Sequence, residues 1–204
     1  MAAAPAFLAS LEEAPAVFFF DDPAAGNRLI AKGLRERGSL IYFEPSKLVS
    51  NTDYEAVAVS DIIKFSDENI PDVSFADAYQ DKVFIQTMGA KGVRFKYKGK
   101  PWEVIEARPV EQVVDAEGAG DWFTAAFIND LVELGGKTMR SLYNTTVWDA
   151  CSHAMGWSAR GIAHMGSKGL IPAHPYYWCA DYLIRTWDIS KAGVISWDIV
   201  QECG

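Results

Sequence analysis

The chain has 204 residues, half of them hydrophobic and 23% charged, which suits a single domain with a full core. Its net charge of −8 argues against a nucleic-acid or anionic-membrane surface, since either needs a basic patch. The cysteines, Cys151, Cys179 and Cys203, are scattered, with no CxxC pair and no HxxxH; this argues against a zinc site or disulfide framework and points to a reducing cytoplasm.

Residues 1–15 carry Glu12 and Glu13 and no basic n-region, so they read as a soluble lead-in rather than a signal peptide. No apolar run approaches the length of a membrane span. Residues 16–20, AVFFF, form a continuous apolar run, the pattern of a strand buried on both faces. A loop and helix follow over 21–38, with Leu29, Ile30 and Leu34 as its apolar stripe, Arg28, Arg35 and Arg37 on its polar face, and Gly38 as its stop. SLIYFEPS (39–46) is a second buried strand, Tyr54–Val59 a helix, DIIKFS (61–66) a third strand and DKVFIQTMG (81–89) a fourth. GVRFKYKG (92–99) and PWEVIEA (101–107) alternate as a hairpin-like pair. A helix is expected over 121–134, followed by Gly135 and Gly136, and another over 138–166, broken near Gly156. Residues 173–204 read as an aromatic-rich tail. Strands alternating with helices predict an α/β domain with a mostly parallel sheet covered on both faces, and ligands in such sheets bind at the carboxyl ends of the strands.

Two glycine turns would open at that edge, TMGAKG (87–92) and DAEGAGD (115–121). Gly118, Ala119 and Gly120 let the backbone approach a ligand closely, and a helix starting near Asp121 would aim their N–H groups at an anion. Asp121, at the lip, then accepts a hydroxyl proton during attack on phosphorus. The same spacing also fits a plain βα turn with Asp121 as the helix N-cap. Lys64 and Lys91 have two readings as well: phosphate neutralisers or solvated surface lysines. His153 and His164 lie three helical turns apart, too far to share a metal.

DAEGAGDWFTAAFI (115–128) resembles the signature of the PfkB (ribokinase-like) carbohydrate kinases. DIIKFSDENI (61–70), VFIQTMGAKGV (83–93), SLIYFEPS and AHMGSKGLIP (163–172) resemble further segments of that family, in its order and spacing, over residues 16–172. The resemblance implies a ribokinase-like three-layer sandwich. It implies Asp121 as catalytic base, Gly118, Ala119 and Gly120 as anion hole, and Thr87, Gly89, Gly92 and Ser66 near the nucleotide. Asp115 would help bind a monovalent cation such as K+, and Glu68 would reach Mg2+ through water. The implied ligands are ATP, Mg2+ and a sugar, with no nucleic acid and no membrane.

Several features depart from the family pattern. Ala116 stands where Thr, Ser, Pro or Val is usual; Asn69 stands where a Glu closes the family's Asn-x-x-Glu motif; and Met155 falls near the place of an adenine-site Asn. No counterpart of the family's N-terminal strands, β lid and sugar-gripping signature is visible, which implies a fragment, a partner that supplies the missing part (a second copy included), or a rebuilt N-terminus. Two functions follow: an ATP-dependent sugar kinase, or a non-catalytic nucleotide-binding module of the same fold.

Overall fold

The computed structural model describes residues 3–134 and 138–166. In chain order the elements are α1 (Ala3–Ser10), β1 (Val17–Phe20), α2 (Ala25–Glu36), β2 (Leu40–Phe43), α3 (Asn51–Val59), β3 (Ile62–Ser66), β4 (Val83–Thr87), β5 (Val93–Tyr97), β6 (Glu103–Ile105), α4 (Ala119–Glu133) and α5 (Asn144–Gly161). Short 3-10 turns lie at Ser74–Ala78 and Gly89–Lys91. Among the described residues no helix is long and apolar enough to cross a membrane.

The six strands form one sheet in the order β1-β2-β3-β4-β5-β6. β1 to β4 run parallel, and β5 and β6 are antiparallel to their neighbours. The period of two along each buried strand divides the core. Leu40 and Tyr42 of β2 join a cluster with Ile62, Val83, Ile85, Phe123, Phe127 and Val147, so α4 and α5 cover that face. Ile41 and Phe43 join Phe18, Phe20, Ala31, Leu34, Ala56, Val57 and Phe84, under α2 and α3. Right-handed crossovers between neighbouring parallel strands put α2 and α3 on one face. The bare face is then left for α4 and α5, which follow the sheet in the chain. The sandwich expected from the strand–helix alternation is present.

Sequence order sets the local detail. α3 starts three residues earlier than Tyr54 because Ser50 and Asp53 form a capping box: Asp53 N–H donates to Ser50 Oγ at 3.2 Å and Ser50 N–H to Asp53 Oδ2 at 2.8 Å. Within the lead-in, α1 crosses α2 where Gly33 has no side chain; a Cβ there would lie 2.4 Å from Leu8 Cδ1. Leu8, Leu11 and Ala14 thereby pack on the α2–α3 side of the core.

The last two helices differ from expectation in their bounds. α5 begins at Asn144 rather than near Thr138. Tyr97 Oη donates to Leu142 O at 2.5 Å and Lys98 Nζ to Met139 O at 2.7 Å, so the end of β5 and the residue after it take carbonyls that a longer helix would need. α5 also runs unbroken through Gly156. A mid-helix glycine costs about 1 kcal/mol, and the burial of Val147, Ala150, Cys151, Ala154 and Met155 against α4 outweighs it. The aromatic tail, 173–204, lies outside the described residues.

Candidate active site at the carboxyl edge of the sheet

Each site element sits at a strand end because the polar residue there ends an apolar run. β2 stops at Phe43, and Glu44 follows, its N–H donating to Phe20 O at 3.0 Å. β3 and β4 end side by side, with Ser66 paired to Thr87 in the ladder. Beyond Ser66 the chain turns at once: Asn69 N–H donates to Ser66 Oγ at 3.2 Å and Ile70 N–H to Ser66 O at 3.0 Å. Glu68 and Asn69 stand exposed on this turn.

The turn after β4 contains two glycines with different physical roles. Gly89 has φ +53 and open space around it, so its left-handed backbone rather than packing asks for glycine. Gly92 is buried with φ +98, and a Cβ there would meet Ile105 O at 2.1 Å and Ala107 N at 2.6 Å. What fixes Gly92 is the close approach of β6. Lys91, between them, is exposed.

Gly118, at φ +78, is the left-handed cap from which α4 starts, and Ala119 and Gly120 are the helix's first residues. Ala119 and Gly120 therefore enter the helix rather than precede it, and Gly118 caps it. Asp121 is not the N-cap; it stands at the third helical position, exposed, and among the described residues no hydrogen bond or ion pair holds its carboxylate. Ala119 N–H donates to Ala116 O at 3.3 Å. Among the described residues no acceptor takes the N–H groups of Gly118, Gly120 or Asp121. Free first-turn amides backed by the helix dipole favour an anion.

A polar network holds that first turn from beneath. Lys64, on β3, is buried, with 4% of its side chain exposed. Its Nζ pairs with Glu44 Oε1 and donates to Gly120 O at 3.2 Å. Thr124 Oγ1, one turn along α4, donates to Glu44 Oε2 at 2.7 Å. From the other side Ser158 Oγ of α5 donates to Ala119 O at 2.6 Å. A buried ammonium is tolerated because it is paired and hydrogen-bonded. Lys64 is thus neither a solvated surface lysine nor a side chain reaching outward to phosphate. The Tyr42 hydroxyl lies under this network, fully buried and without a hydrogen-bond partner among the described residues. Burial, with the Glu44 carboxylate adding to it, pushes that hydroxyl well above the usual phenol value.

Asp115 anchors the loop that leads into α4. Its Oδ1 accepts Glu117 N–H at 2.9 Å and its Oδ2 accepts Gly166 N–H at 3.0 Å. These amides hold the carboxyl below its ordinary range. Each oxygen keeps a further lone pair for an additional donor or cation. Among the described residues no group of three His, Cys, Asp or Glu side chains is placed to hold a metal ion. His153 Nδ1 lies 2.6 Å from Asp130 Oδ2, between α5 and α4.

Glu44, Thr124 and Ser158 were not singled out in the sequence as site residues. Glu44 carried a readable signal, a lone acid closing an apolar strand at the ligand-binding edge. Thr124 and Ser158 carried none, because a hydroxyl on a helix gains meaning only from what it faces.

Comparison with known proteins bears on the family and the fold. The sequence profile described as pfkB family carbohydrate kinase matches residues 44–153. No curated protein matches. Among solved structures, a double-mutant fructokinase from Vibrio cholerae O395, bound to fructose, ADP and potassium ion, is similar with a TM-score of 0.63 at 19% identity, covering 83% of this chain and 63% of its own. The ribokinase of Giardia lamblia is similar with a TM-score of 0.64 at 16% identity, covering 82% of this chain and 59% of its own. The Arabidopsis thaliana ribokinase complexed with ribose and ATP has a TM-score of 0.59 at 19% identity, covering 77% of this chain and 55% of its own. The chain thus spans roughly three fifths of the length of these structures. At such identities the structural likeness speaks for the fold, and the profile match over more than half the chain speaks for the family: this chain belongs to the pfkB family of carbohydrate kinases.

Proposed function

We propose that the chain works in an ATP-dependent phosphotransferase, moving the γ-phosphoryl group of ATP to a hydroxymethyl group of a sugar or sugar-like alcohol. The observation that carries this reading is Asp121: an exposed, unpaired carboxylate on the first turn of α4, beside free backbone amides. The acceptor oxygen forms a bond to the γ-phosphorus and the bond to the β-phosphate bridging oxygen breaks, releasing ADP. Asp121 takes the hydroxyl proton. The amides of Gly118, Gly120 and Asp121 donate to the charge developing on the transferring group. Ser66, Thr87 and Gly89, on the same edge, border the nucleotide; Gly92 serves that turn by letting β6 pack. Glu68 would hold Mg2+ through water, the ion supplying neutralisation of phosphate charge, and Asp115 would hold a monovalent cation beside the loop into α4.

The second reading, a nucleotide-binding module without turnover, is favoured by one observation. Asn69, exposed on the turn after β3, puts an amide where the resembled motif has a carboxylate. Phosphoryl transfer from Mg–ATP to a panel of hexoses, pentoses, ketosugar acids and nucleosides separates the two. The kinase reading expects transfer to at least one acceptor, falling by about 10²- to 10⁴-fold in Asp121→Asn. A melting temperature raised by Mg–ATP without transfer favours the module. Transfer unaffected by Asp121→Asn removes Asp121 as base.

A further inference from the structure

We infer that Lys64 polarises the anion pocket from behind, acting through the Gly120–Asp121 peptide bond, with Glu44 and Thr124 as the residues that hold it in place. The inference rests on the phosphotransferase reading for its purpose, but its physical content is independent of turnover. The carbonyl of Gly120 and the N–H of Asp121 belong to one peptide unit. At a helix N-terminus the N–H points out of the first turn toward the pocket and the carbonyl points back into the helix. Lys64 Nζ donates to that carbonyl at 3.2 Å. A cation on the oxygen draws electron density through the amide and makes its N–H a stronger donor. Lys64 thus touches no ligand; it is a positioning residue.

Three observations make the contact specific. The ammonium is buried, so water screens its field little. Its position is fixed by Glu44, which is itself fixed by Thr124 of the same helix. Finally, a Cβ on Gly120 would lie 3.2 Å from Nζ, closer than a side chain and an ammonium ordinarily sit. Gly120, the second glycine of the turn, thus gives the lysine room to approach on its inner side.

The test uses the full chain and compares wild type, the double variant Lys64→Met/Glu44→Gln, Lys64→Gln and Lys64→Arg. The double variant removes the charge without stranding Glu44 in the interior. Lys64→Gln keeps a neutral donor and provides the comparison if the double variant does not fold. Two readouts are taken by NMR: base-catalysed hydrogen exchange at the Asp121 amide, and affinity for inorganic phosphate. A cation behind the peptide accelerates base-catalysed exchange, so neutral variants should slow it, and should weaken phosphate binding by about fivefold. Lys64→Arg should restore both toward wild type. A clamp that merely holds the helix predicts the reverse: exchange at Asp121 faster or unchanged in the neutral variants, with phosphate affinity unaltered in any variant that folds. That result overturns the inference. If the amide signature is present while Mg–ATP supports no phosphoryl transfer in wild type, the kinase reading fails and the polarisation stands.

Discussion

Gly92→Ala separates a backbone requirement from a ligand-binding one, and its cost follows from the geometry. Gly92 has φ +98 and ψ −138, a region open essentially to glycine alone, and forcing another residue there costs about 1–3 kcal/mol. The added methyl would also sit 2.1 Å from Ile105 O and 2.6 Å from Ala107 N. Both are backbone atoms beside the β5–β6 ladder and cannot rotate away, so the strand must shift, at a further cost of about 1–3 kcal/mol. The sum, about 4 kcal/mol, is a large share of the roughly 5–15 kcal/mol that stabilises a domain. Gly89→Ala is the internal control. Its φ is +53 with nothing within 4 Å, so only the left-handed penalty of about 1 kcal/mol applies. Urea unfolding followed by tryptophan fluorescence measures both, as shifts in midpoint at constant slope. Equal losses for the two variants would refute the assignment of Gly92 to strand packing.

Ser50→Ala removes the hydroxyl half of the capping box at α3 and should cost about 1 kcal/mol, read as a lower melting temperature; Ser50→Thr should recover most of it. Acid unfolding should report Asp53 and Asp115 among the carboxylates held low. Burial raises the Asp53 carboxyl, but hydrogen bonds from the Val49 and Ser50 amides outweigh it, and the net value lies below the ordinary one. The amides of Glu117 and Gly166 lower Asp115 in the same way. A folded-state value below the unfolded value means that this stability is fully present above about pH 4 and is lost as pH falls through the folded values. Asp115→Asn should therefore flatten the acid limb of the stability curve, and an unchanged limb would remove the Asp115 bridge.

The strands were legible because they are buried on both faces. VFFF, LIYF and VFIQT have no alternation to hide behind, and each ends at a polar residue that marks the carboxyl edge. The glycine turn before α4 had two readings by spacing alone; the resemblance of DAEGAGDWFTAAFI to the kinase signature is what singled it out. What stayed hidden depends on contacts across the sheet. Lys64, flanked by Ile63 and Phe65, read from sequence as a surface lysine or a phosphate neutraliser, yet β3 is central and its ladder carries Lys64 inward, to Glu44 and α4. Gly92 looked like a phosphate glycine because it shares a turn with Gly89; only the position of β6 separates their roles. The start of α5 was set by Tyr97 and Lys98, about forty residues upstream, which no local periodicity encodes.

The most direct test of the proposed site is a titration of the isotopically labelled chain with Mg–ATP, followed at backbone amides. Saturable shifts concentrated at Gly118, Gly120, Asp121 and Gly89 are expected, with Gly38, on the loop between α2 and β2, unmoved. Binding that leaves the α4 amides unshifted, or no binding at millimolar nucleotide, would contradict the claim that this turn is where phosphate sits.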